Sequence, residues 1–84
     1  MTRIDKLTAS FATCAGTFPY KDFVTVLRGL GYESMKKGAT AGSRRKFRHV
    51  TLDHMIWLDE PHDGEMTAGM VRRLRDDLIA RGLL

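Results

Sequence analysis

The sequence holds a single cysteine, Cys14, so it can form neither an internal disulfide nor a thiolate metal cluster. That fits a reducing compartment. No apolar run approaches the ~18–20 residues that a membrane-spanning helix needs, so the reading is of a protein with no membrane role. The segment from Met1 to Gly16 carries Asp5 and polar residues throughout, without the apolar stretch of a secretory signal. A soluble, cytoplasmic protein is the expectation. Repeats are absent, and 84 residues suffice for one domain. At that size folding buries only roughly 60–65% of the chain's surface, so a bound partner would add stability.

The most informative absence is of acids. Between Lys36 and His49 lie Lys36, Lys37, Arg44, Arg45, Lys46 and Arg48, with no Asp or Glu among them. Six of the fourteen basic residues fall in this window, and the other eight face all ten acids, leaving the remainder at −2. A local positive field on a slightly acidic body is the footprint of a polyanion site. The alternative is a solvated basic loop.

Hydrophobic periodicity then supplies the elements. Ile4, Leu7, Phe11 and Cys14 make one stripe of a helix over about 2–13, which Thr2 and Asp5 open with a capping-box-like spacing. Phe23, Val26, Leu27 and Leu30 share a face of a second helix over about 19–30, with Pro19 in its first turn and Gly31 ending it. From Tyr32 to Leu58 the pattern becomes that of strands. A first strand covers Tyr32 to Lys37, and small residues from Gly38 to Ser43 read as a loop. A second strand runs from Arg44 to Leu52, with Phe47, His49 and Thr51 on one side and Arg48, Val50 and Leu52 on the other. Asp53-His54 reads as a tight turn into a third strand, Met55 to Leu58. After an acidic loop over 59–65, Thr67 caps a last helix that Gly82 stops, with Val71, Leu74 and Leu78 buried. Its pairs Arg72–Asp76, Arg73–Asp77 and Asp77–Arg81 are four apart, so part of that charge reads as structural. The fold class is α+β, ordered α-α-β-β-β-α.

Four segments carry a resemblance. Tyr20 to Val24 followed by Leu27-Arg28-Gly29-Leu30-Gly31-Tyr32 is the first, and Gly42-Ser43-Arg44-Arg45-Lys46-Phe47 the second. Pro61-His62-Asp63-Gly64-Glu65-Met66 and Met70-Val71-Arg72 through Leu84 complete the set, in order. Together they resemble the HicA family of type II toxin–antitoxin systems, over a core of residues 17–84 preceded by an extra N-terminal helix. The resemblance implies a fold like a double-stranded-RNA-binding domain, with helices backing a three-stranded antiparallel sheet. It also implies a ribonuclease that cleaves messenger RNA without a metal or other cofactor and is neutralised by a HicB antitoxin.

The family's familiar motif is Gly-Ser-His, whose histidine is catalytic, whereas Arg44 follows Gly42-Ser43 here. Metal-free RNA cleavage needs a base, an acid and cations that stabilise charge at phosphorus. Arg44, Arg45 and Lys46 are candidate phosphate clamps, joined by Lys36, Lys37, Ser43 and Arg48 as the nucleic-acid-binding set. His62 is the candidate acid or substrate orienter, although its acidic neighbours would repel RNA. His49 reads as packing and His54 as a turn residue without a role. Asp59, Glu60, Asp63 and Glu65 beside His62 match no metal motif. Ser43 lacks the G-x-S-x-G context of a nucleophile, and no G-K-[ST] follows Gly42. Phe47 and Trp57 fall on adjacent strands and could stack bases on an open sheet face or form core; Trp57, within its apolar run, reads as core, and Phe47 stays open between the two. The competing function is a non-catalytic RNA-binding or protein-interaction module. DNA binding is weaker, because no helix pair reads as a helix-turn-helix.

Overall fold

The apolar stripes of three helices and one face of a sheet meet in a single core in this computed structural model, which describes residues 3–35 and 44–84. The elements are α1 (Arg3–Ala12), β1 (Phe18–Pro19), α2 (Tyr20–Gly29), β2 (Tyr32–Ser34), β3 (Arg44–His49), β4 (Met55–Asp59), β5 (Glu65–Met66) and α3 (Ala68–Ala80). The fold is α+β, as expected, with β2-β3-β4 an antiparallel sheet in that order. Among the described residues no helix is long and apolar enough to cross a membrane. The radius of gyration is 12.4 Å, close to the ~12 Å of one folded unit this size.

Helix α1 is part of that unit. Phe11 is fully buried, with its ring centroid 5.1 Å from those of both Phe18 and Phe23. Arg75 of α3 donates to the Cys14 carbonyl just past the helix, and Ile4 lies so close to Gly29 that a Cβ there would run into it. Pro19 stands one position earlier than expected. Its extended backbone (φ −61°, ψ 129°) precedes α2 and pairs with Glu65 in a two-strand ladder, β1 with β5. The Tyr20 N–H then donates to Gly64 O at 2.9 Å, so the turn over 62–64 is pinned to the start of α2. This ladder is too short to leave an alternation in the sequence.

Strand β3 stops at His49 instead of running to Leu52, and the His49 side chain is the reason. Its Nδ1 accepts the N–H groups of Thr51 (3.1 Å) and Leu52 (3.0 Å), while Val50 N–H goes to Gly31 O at 2.9 Å. Side-chain bonding of this kind offers the backbone an alternative to the ladder. The reversal therefore spans 50–54 and is not the tight Asp53-His54 turn. On its other side the His49 Nε2–H donates to Leu30 O at 2.9 Å, which fixes the tautomer. Helix α3 begins as expected, with Thr67 Oγ1 accepting from Met70 N–H at 3.2 Å.

Gly31 has φ +100°, and a Cβ on it would sit 2.7 Å from His49 Nε2. Both the backbone and the imidazole thus require glycine. We expect Gly31→Ala to lower unfolding stability by about 2 kcal/mol or more in urea titrations, from left-handed strain and displacement of His49. A change within experimental error would show that neither constraint holds.

Candidate nucleic-acid interface

Alternation along β3 sorts the basic window onto two faces. Phe47 and His49 are buried beneath the helices, so Arg45 shares their side and Arg44, Lys46 and Arg48 project from the opposite face of the sheet, which no described helix covers. The register then decides each neighbour. Arg44 lies opposite Asp59 and pairs with it at 3.6 Å; Lys46 lies opposite Trp57 with its ammonium 4.5 Å from the ring centroid. Arg48 reaches back to Glu33 of β2 at 3.3 Å. These two ion pairs are well exposed, and such pairs contribute about 0–1 kcal/mol. A phosphate can therefore compete for either arginine.

Arg45 is different. Its side chain is 24% exposed and pairs with Glu60 at 3.1 Å beside Tyr20. Burial pushes the Tyr20 phenol above its usual range, with Glu60 adding to the shift and Arg45 opposing it. The expectation that Arg45 joins Arg44 in one clamp is thus not met: the two adjacent arginines lie on opposite sides of the sheet, each beside a carboxylate. Lys36, Lys37 and Ser43 lie outside the described residues.

Trp57 is the second correction. It is 48% exposed, while Phe47 is the core residue at 2%. In the run Met55-Ile56-Trp57-Leu58 every side chain is apolar, so the sequence carries no phase. Pairing of Ile56 with Phe47 supplies it, turning Ile56 and Leu58 inward and Trp57 outward. Trp57 forms one wall of a groove of about 450 Å³ between the sheet and α3, lined also by Arg44, Leu58, Asp59, Met70 and Arg73.

Arg73 lines this groove and does not pair with Asp77. Asp77 binds His54 Nε2 at 3.2 Å and Arg81 at 3.3 Å, and Asp76 lies 3.7 Å from Arg75. Of the three i,i+4 pairs read from the sequence, only Asp77–Arg81 forms among the described residues.

His62 stands exposed in the turn between β4 and β5. The neighbouring Asp63 does not hold it: its Oδ1 accepts from Glu65 N–H at 3.0 Å. No described residue hydrogen-bonds the His62 ring. The Arg44–Asp59 register nevertheless puts the start of β3 at the same end of the sheet as the segment leading to His62. Among the described residues no three His, Cys, Asp or Glu side chains group to hold a metal.

His54, read as a turn residue without a role, lies instead at the centre of a polar chain. The Tyr32 hydroxyl donates to its Nδ1, and its Nε2–H points at Asp77, which also holds Arg81. The only sequence signal was an aromatic directly after the helix-ending glycine. No known protein family, no curated protein and no solved structure matches the chain.

Burial pushes the His54 pKa below its usual 6.5, Arg81 adds to this, and Asp77 opposes it; His49 on β3 lowers it further. Folding therefore favours the neutral ring, whose contribution is complete above about pH 6.5 and is lost as pH falls below it. Thermal melts should show Tm falling through that window, with a shallower fall in His54→Gln. An unchanged slope in the variant would assign the effect to another group.

Proposed function

We propose that this chain is a HicA-like RNA-binding toxin, directed at messenger RNA and restrained by a HicB-type antitoxin. The carrying observation is the open face of the sheet, where Arg44, Lys46 and Arg48 stand in a row beside weakly held carboxylates and an exposed tryptophan. An α+β unit with one sheet face covered by helices is also the architecture that the resemblance implies.

Cleavage would follow metal-free transesterification. The 2′-oxygen bonds to phosphorus as the P–O5′ bond breaks, the 2′-hydroxyl proton passes to a base, and the leaving 5′-oxygen takes a proton from an acid. His62 is suited to one proton role by its exposed imidazole, and Arg44 to steadying the phosphorane by bidentate bonds. The shared sheet end of Arg44 and the His62 turn supports this assignment. A second reading, a toxin-derived module that binds RNA without cutting it, is favoured by two observations. Arginine stands at position 44, where the family has its catalytic histidine, and no described residue orients the His62 ring.

Purified protein incubated with labelled RNA and a chelator separates the two readings. Cleavage that His62→Ala reduces by a hundredfold or more supports the enzyme. RNA that is shifted but intact supports the binder. In either case Arg44→Ala with Arg48→Ala should weaken binding to all sequences and reduce the salt slope by about one for each phosphate no longer neutralised. Absence of any RNA binding at low salt would remove both readings.

A further inference from the structure

We infer that the groove between Trp57 and α3 is a subsite for one unpaired nucleotide of an RNA strand, with the base on the Trp57 ring and its phosphate between Arg44 and Arg73. This rests on the RNA-binding reading above and narrows its ligand to single-stranded RNA.

The fold turns its one tryptophan outward. Trp57 is held there by the Phe47–Ile56 pairing, on a face where its cross-strand neighbour is a cation and not another apolar side chain. The Lys46 ammonium over the ring marks that ring as accessible to a ligand. A planar base takes the place of the ammonium, which then moves to a neighbouring phosphate. Beside the ring, Met70 continues an apolar wall, and Arg44 and Arg73 bring cations from two different elements to the rim. The groove's volume, about 450 Å³, lies in the ordinary range for small-ligand sites.

Charge argues for a polyanion. The groove lining contains two arginines and one acid, Asp59, already paired with Arg44. Arg73 has no ion pair among the described residues, while Asp77, four residues on, pairs with His54 and Arg81. Together the open face, with Arg44, Lys46 and Arg48, and the α3 rim, with Arg73, bring four cations against Asp59 and Glu33. Base pairing state follows from the ring. In an A-form duplex the bases stack on one another and offer proteins mainly backbone and minor groove, so an indole finds no free π-face there. A single strand or loop supplies both a free base and a flexible phosphate.

Trp57 is also the chain's only tryptophan, so its emission reports directly on the subsite. The experiment titrates the protein with a short unstructured RNA, a fully paired RNA duplex of equal length and inorganic phosphate. Trp57 fluorescence is followed in parallel with anisotropy of end-labelled RNA. The unstructured strand should quench the emission, whereas duplex and phosphate should not. Trp57→Ala should weaken the strand about tenfold at unchanged salt slope, and Trp57→Phe should retain most of the affinity. Arg73→Ala should reduce that slope by about one. Trp57 and Arg73 are both exposed, so circular dichroism of the variants should match the parent. Normal RNA anisotropy with unmoved emission, or equal quenching by duplex, overturns the subsite and leaves RNA binding standing. No anisotropy change with any RNA overturns the RNA-binding reading itself.

Discussion

The His49 imidazole joins two segments that would otherwise be free to shift: the end of α2, through Leu30 O and close approach to Gly31, and the loop after β3, through two N–H groups. Its partner across the sheet is Tyr32, whose ring meets it edge-on at 4.9 Å. Together they set the phase of β3. Because side chains alternate every residue, a slip by one would bury Lys46 and Arg48 and expose Phe47. Which cations reach the open face is thus tied to a residue at the end of the strand whose own side chain lies on the opposite, helix-covered face.

Electrostatics on the two faces differ in kind. Arg45 is partly withdrawn from water beside Glu60 and Tyr20, so its pair with Glu60 is less screened than the pairs of Arg44 and Arg48. Arg44 and Arg48 are paired in open solvent, where the attraction is screened and easily exchanged. An adjacent pair of arginines therefore divides into one that anchors the turn region and one that is available to a ligand. The same division appears on α3, where Asp77 takes His54 and Arg81 and leaves Arg73 to the groove.

Much of the fold was legible because long amphipathic segments carry their own phase. The stripes of α2 and α3, the Thr67 cap and the glycine stop at Gly82 needed no tertiary information. Trp57 was not legible, since an unbroken apolar run has no polar residue to mark its outward side. The two-residue ladder of Phe18–Pro19 with Glu65–Met66 was hidden because its strands are shorter than one full alternation. His54 was misread for another reason. Turn chemistry was assigned to Asp53-His54 from dipeptide preference, whereas the reversal is organised from outside by His49. For the candidate site, the cluster of charge was visible in the sequence, but its division between two faces depends on pairing partners distant along the chain.

The three histidines separate by how their ring nitrogens are used. His49 and His54 each have both nitrogens engaged, with tautomers set by Leu30 O and Asp77, and each holds strands and helices together. Such rings are oriented but committed, and proton transfer to an RNA would require breaking the bonds that position them. His62 has the opposite character: exposed, without a ring hydrogen bond among the described residues, and at the sheet end that Arg44 occupies. A catalytic histidine needs both access and orientation, and among the described residues none supplies the second to His62. Positioning by substrate is weaker than positioning by a fixed neighbour, because the ring's freedom must be given up within the catalytic step. Any catalysis through His62 would therefore be slow relative to that of a ring held in place beforehand. The RNA affinity proposed for the open face would, by contrast, draw on side chains already aligned by the sheet.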